Sequence, residues 1–147
     1  MKRPDYYKIA PDLMDGFLKG LGAPAYTVLD AKLKALPELR VSQLNGCAFC
    51  CDKHSQEARH LGEDRQRLDA LPVWRESTFF TERERAALGW AESLTLVAST
   101  HADDGDYAAV AAVFGEREPV EISTAVAIMN FRNRLAVGFR KEVKRRG

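Results

Sequence analysis

The sequence predicts an all-α fold, and three observations predict it. Apolar residues recur three and four apart along nearly the whole chain. Residues that start and stop helices punctuate those stretches at helical lengths. The period-two alternation of a half-buried strand is nowhere sustained. The chain has 147 residues, 46% of them apolar and 29% charged. That is the size and balance of one domain, 1–147, with a core of its own. No internal repeat or low-complexity linker divides it.

The elements follow in order. Pro11 to Leu21 carries Leu13, Phe17, Leu18 and Leu21 as a helical stripe closed by Gly22. Pro24 suits the first position of a second helix, with Tyr26, Leu29, Leu33 and Leu36 on one face. Pro37 should bend or interrupt it, and Leu39, Val41 and Leu44 continue to a break at Asn45-Gly46. A third helix runs from near Cys47 to about Gly62, and Glu63 to Trp74 reads as a short helix and connector stopped by Pro72.

Thr81-Glu82-Arg83-Glu84 is a capping box that opens a long helix with Ala87, Leu88, Ala91, Leu94 and Val97 on its buried side. Asp103 or Asp104 can cap the next helix, Tyr107 to Phe114, which Gly115 ends. Glu118-Pro119 opens a last helix bearing Ile122, Val126, Met129, Leu135 and Phe139. Several helices are apolar on more than one face, Ala125 to Met129 above all, so a helix-mediated oligomer is expected.

Composition excludes some functions. With 22 basic against 21 acidic residues the net charge is +1, so no electrostatic nucleic-acid binder is expected. The basic end, Lys141 to Arg146, reads as a solvated terminus. No apolar run reaches membrane-spanning length. The first residues lack the apolar stretch of a secretory signal, which points to the cytoplasm.

All three cysteines fall within five positions, Cys47, Cys50 and Cys51. That cluster cannot staple distant parts of a chain, so in a reducing compartment it reads as catalytic or metal-binding. A helix start offers free N–H groups and the positive end of the macrodipole, both of which stabilise a thiolate. Cys47 and Cys50, three apart, share a face and can close a small-ring disulfide. His54, four beyond Cys50, lies over that face. Neutral His54 can take the proton of Cys50, directly or through a water. The Cys50 thiolate can then attack the outer oxygen of a peroxide, and Cys47 condenses with the resulting sulfenic acid. Phe49 can wall the site. Glu57, one turn past His54, can orient its imidazole or lie in solvent.

Other readings stand beside this one. CxxC with a histidine is also half a zinc site, whose fourth ligand would have to come from His60, His101 or a carboxylate. Buried, inert cysteines are common. Cys51 is rotated away from Cys47 and reads as packing. His60 and His101 read as surface or core-edge residues.

The run Leu39-Arg40-Val41-Ser42-Gln43-Leu44-Asn45-Gly46-Cys47-Ala48-Phe49-Cys50, with His54 after it, resembles the AhpD-like alkylhydroperoxidases of the carboxymuconolactone decarboxylase superfamily. Ala87 to Thr95 is similar to that family's long-helix segment, and Asn130 to Val137 to its C-terminal helix. The resemblance implies an all-helical fold of six to eight helices, assembled as a homo-trimer or homo-hexamer. It implies peroxidase activity without metal or cofactor, with a hydroperoxide substrate and a dithiol electron donor. It gives Cys50 the peroxidatic role, Cys47 the resolving role and His54 the proton relay. The family's relay also uses a glutamate twelve residues before the first cysteine, and Ala35 stands there. Glu38, one turn on, can partly substitute, or His54 can pass its proton to water. Without that acid, the alternative is a non-enzymatic redox-responsive oligomer, a sensor or stress-associated protein. Lactone decarboxylation, which the superfamily's name carries, has no use for Cys47 and Cys50.

Overall fold

The computed structural model describes residues 1, 3–20 and 27–145, the side chains of residues 17 and 18 excepted. Among these residues every regular element is helical. They are α1 (Tyr6–Ile9), α2 (Pro11–Gly20), α3 (Ala31–Leu44), α4 (Ala48–His60), α5 (Arg65–Ala70), a 3-10 turn (Leu71–Val73), α6 (Glu82–Thr95), α7 (Val97–Thr100), α8 (Asp104–Ala111) and α9 (Arg117–Gly138). No described helix is long and apolar enough to cross a membrane.

The centre of the molecule is α3, which packs against α4, α6 and α9. One side of it, with Leu33 and Val41, joins Ala87, Trp90 and Ala91 of α6, Val110 of α8 and Ile122, Val126 and Met129 of α9. The other side, with Leu36 and Leu39, joins Ala58, Leu71, Trp74, Phe80 and Leu88. In the Ala125–Met129 stretch Ala125, Val126 and Met129 are buried within the chain, Ile128 is half-buried and Ala127 is exposed. α9 as a whole packs against α3 and α6.

Leu21, Gly22, Pro24 and Tyr26, on which the first helix stop and the second helix start were placed, lie outside the described residues. The second helix begins later than expected. Asp30 caps α3 by accepting from the Leu33 amide at 2.9 Å. Thr27 to Leu29 is not helical, because the Glu121 carboxylate claims its amides, Val28 N at 3.2 Å and Leu29 N at 3.0 Å. Pro37 does not end the helix either, since α3 runs through it. An interior proline costs ~3 kcal/mol. Burial of Leu33, Leu36, Leu39 and Val41, at ~1.5–3 kcal/mol each, outweighs that.

Three smaller departures have local causes. In α2 Met14 is the buried residue among the described side chains, and Leu13 stays 63% exposed. Val97 does not extend α6. That helix ends at Thr95, whose hydroxyl donates back to the Ala91 carbonyl at 2.7 Å, and Val97 lies exposed in α7. The eighth helix begins earlier than Tyr107, at Asp104, because Asp103 accepts from the Asp106 amide at 2.9 Å. The capping box before α6 forms as expected: Thr81 N donates to Glu84 at 2.8 Å and Glu84 N to Thr81 at 3.3 Å.

Candidate functional site at the start of the fourth helix

The site is built on a tight turn between α3 and α4. Gly46 adopts φ +63°, a left-handed conformation open to glycine at little cost. The Gly46 amide donates to the Gln43 carbonyl at 3.1 Å and the Cys47 amide to the Ser42 carbonyl at 3.0 Å. This is a Schellman closure of α3. Cys47 is therefore the last residue of that closure and the N-cap of α4. Its sulfur accepts from the Cys50 amide at 3.2 Å. A part-buried amide network ties the turn to α9. Asn45 Nδ2 donates to Asn130 at 3.0 Å and to Asn133 at 2.9 Å, and Asn133 Nδ2 donates to Ser42 Oγ at 3.2 Å. Sequence reading missed this network. Its signal was there: two asparagines three apart on the apolar stripe of a long helix need buried partners.

Cys47 and Cys50 form a disulfide with Cα atoms 5.2 Å apart, within the ordinary range for a bridge. Cys47 is 1% exposed and Cys50 4%. Burial does not seal the pair. Cys50 lines a cavity of about 240 Å3 that His54 also lines, and Cys47 lines a separate cavity of about 210 Å3 with Gly46 and Phe49. The two cysteines thus line different cavities. Phe49 walls both, as the sequence had placed it.

His54 is buried, at 5% exposure. Its Nδ1 lies 2.8 Å from Glu57 Oε2 and 4.0 Å from Glu38 Oε2. Glu57 thus engages the ring and is not merely solvated, and it also pairs with Lys53. Burial pushes the imidazole down to about 4, with Lys53 and Arg132 adding to that and Glu57 opposing it. At neutral pH the ring is therefore uncharged. Burial pushes the Glu57 carboxyl up, but the Lys53 hydrogen bond and neighbouring positive charge outweigh it and hold the group below its ordinary value. An ionised carboxylate only accepts, so Nδ1 carries the ring proton and Nε2 is left as the basic nitrogen.

Glu38 lies beyond hydrogen-bond reach of His54, and burial raises its carboxyl above the ordinary range. Ala35 is buried, and it lines one cleft with Glu38, His54 and Glu57. The acid opposite the histidine thus comes from α4 itself, by way of Glu57. Cys51 is a free, half-buried thiol packed against the core cluster that holds Leu36, Leu39 and Leu71, and burial pushes it up. It does not join the disulfide. His60 and His101 are exposed. No group of three or more metal-binding side chains gathers among the described residues. Lys53, Arg132 and Lys141, which also line the Cys50 cavity, were not found from sequence. Two of the three come from the far end of the chain and bear no periodic relation to Cys50.

The pattern of the carboxymuconolactone decarboxylase family matches residues 10–93. The uncharacterized protein YdfG of Bacillus subtilis is 34% identical over 136 residues, 92% of each chain. The uncharacterized protein YnjA of Escherichia coli is 29% identical over 69% of this chain and 56% of its own. Among solved structures, a protein of unknown function from Agrobacterium tumefaciens, offered there as an antioxidant defence protein AhpD, superposes with a TM-score of 0.88. It is 36% identical over 99% of this chain and 100% of its own. The debrominase Bmp8 superposes at 0.78 with 25% identity, over 93% of this chain and 74% of its own.

Proposed function

The chain belongs to the carboxymuconolactone decarboxylase family, and on that premise we propose that it is a thiol peroxidase of the AhpD kind, acting through Cys47, Cys50 and His54. One observation carries the proposal. Cys50, bridged to Cys47 at the mouth of α4, shares a cavity with a neutral histidine whose other nitrogen is held by a carboxylate.

In the reduced protein, Nε2 of His54 takes the Cys50 thiol proton. The thiolate attacks the outer oxygen of R–O–O–H, the O–O bond breaks, and RO⁻ leaves with the proton returned by His54. The products are ROH and a Cys50 sulfenic acid. The Cys47 thiol attacks that sulfur and expels water, which gives the disulfide. An external dithiol then reduces the bridge by two exchange steps and is itself oxidised to a disulfide. Glu57 holds the ring with Nδ1 protonated throughout, as a positioning residue. Glu38, at 4.0 Å, makes no hydrogen bond to the ring.

Purified reduced protein should consume an organic hydroperoxide when a dithiol is present. Cys50→Ser should abolish turnover, and Cys47→Ser should stop at a sulfenic acid that a dimedone-type reagent traps. Consumption no faster than the Cys50→Ser background would overturn the proposal. The redox-responsive oligomer was motivated by Ala35, and the 2.8 Å contact from Glu57 weakens that motive. A homo-oligomeric assembly is part of the same proposal, to be read from sedimentation of the oxidised and reduced protein.

The aromatic walls of the cavity and the likeness to a debrominase favour one further substrate class for the same cysteines. Two thiols and an aryl bromide would give the arene, HBr and the disulfide. Bromide release from a brominated pyrrole, set beside hydroperoxide consumption by the same preparation, separates the two.

A further inference from the structure

The cavity over Cys50 has walls of one chemical kind and charges of one sign. Tyr6 and Tyr7 of α1 close it from the N-terminal side, Phe49 and Phe131 from within the bundle. At about 240 Å3 it is smaller than the ~300–1,000 Å3 of pockets for drug-sized ligands. Its charged lining residues are Lys53, Arg132 and Lys141, and among the described residues no Asp or Glu lines it. Lys53 is engaged by Glu57. Lys141 has no ion pair among the described residues. Its ammonium sits instead 4.2 Å from the centre of the Phe49 ring and 4.6 Å from that of Tyr7.

The backbone holds Lys141 at this mouth. The Lys141 amide donates to the Ala136 carbonyl at 2.8 Å and the Arg140 amide to the Val137 carbonyl at 3.1 Å. This is a second Schellman closure, here ending α9. Its left-handed position is held by Arg140, at φ +51°, a conformation that disfavours any residue with a Cβ. A left-handed turn thus places at the cavity that Cys50 lines a cation with no ion pair among the described residues, its nearby acid being Asp5, which acts on it only through space. Burial also lowers the Lys141 ammonium below its ordinary value, consistent with a charge short of solvent.

We propose that this cavity takes small substrates with an aryl or branched-alkyl body and a carboxylate, the carboxylate meeting Lys141 and Arg132 while the reacting end lies at Cys50. The inference rests on the thiol-peroxidase reading for what the reacting end is, namely a hydroperoxide. It does not rest on that reading for the binding.

The test separates the two. Full-length protein in its disulfide form is titrated calorimetrically at neutral pH with 4-isopropylbenzoate and with the uncharged 4-isopropylbenzamide. The acid should bind at least about tenfold tighter, the effect of one charge-assisted hydrogen bond. Lys141→Gln should erase that preference, and Lys141→Arg should keep it. Equal affinity for acid and amide in the wild type, or no binding of either, overturns the proposal. So does a preference that survives Lys141→Gln. Preference for the acid without hydroperoxide turnover would instead uphold the binding site and remove the peroxidase reading.

Discussion

His54 Nδ1 lies 2.8 Å from Glu57 Oε2, on the same face of α4 and one turn further on. The contact joins residues three apart in one helix, so α4 and its N-cap carry both thiols, the base and the acid that orients it. Neighbouring elements add the cavity walls and the charges around the ring. Removing the Glu57 acceptor should free the imidazole to rotate and to change tautomer. In Glu57→Ala, kcat/KM for a hydroperoxide should fall about ten- to hundredfold, less than the ~10²–10⁴ expected on losing the base itself. Glu38→Gln should cost less than Glu57→Ala, because Glu38 stands at 4.0 Å. The reverse order in a steady-state assay would reassign the positioning role.

Gly46 is needed for its backbone and not for space, since a Cβ there would meet nothing within 4 Å. Gly46→Ala should therefore destabilise by about 1–2 kcal/mol, the cost of a left-handed alanine, and Gly46→Asn by less. Denaturant midpoints of the three proteins check the order. A neutral Gly46→Ala would mean that the turn relaxes into another closure.

How far the sequence was legible follows from the range of the forces involved. The Thr81 capping box and the Asn45-Gly46 break are written in neighbouring residues, and both formed where expected. Pro37 could not be read locally. Its cost is local, but the burial that outweighs it comes from α6 and α9, far along the chain. The start of α3 was misplaced for the same reason, because Glu121 sits in another helix. At the site, the CxxC spacing and His54 were legible as helix register. The choice of Glu57 over Glu38 depended on an ångström of side-chain reach. Lys141 and Arg132 come to the cavity only through the packing of α9.

Asn133 is fully buried and is the hinge of the network that ties the cysteine turn to α9. Asn133→Ala removes one acceptor from Asn45 and one donor from Ser42. It should cost about 2–3 kcal/mol, from lost hydrogen bonds and the small void left behind. Hydrogen exchange should speed up at the Gly46 and Cys47 amides in this variant. Unchanged protection there would mean that the Schellman turn holds without α9.

Cys51 should take no part in the redox cycle. Its thiol is half-buried, and burial pushes it up, so little thiolate forms near neutrality. A brief substoichiometric hydroperoxide pulse followed by thiol blocking should give a Cys47–Cys50 bridge and alkylated Cys51 by mass spectrometry. Cys51→Ser should bridge at the wild-type rate. A Cys51 sulfenic acid or a Cys50–Cys51 bridge would refute this.

His54 also makes stability depend on pH, with a sign the structure fixes. Its imidazole is pushed down to about 4 in the folded chain, first by burial, against ~6.5 when unfolded. Above about 6.5 both states hold it neutral, and its contribution to stability is fully present. As pH falls from there toward about 4, the unfolded chain gains a proton that the folded chain refuses. Stability is lost across that window, and the loss levels off below it. The shift corresponds to a loss on the order of 3 kcal/mol. Other groups titrate in the same range, so the check is a difference. The fall in Tm between about pH 7 and about pH 4 should be larger for the wild type than for His54→Gln, measured on disulfide-form protein. Equal falls would place the His54 ring in contact with water and remove the case for a neutral base at this site.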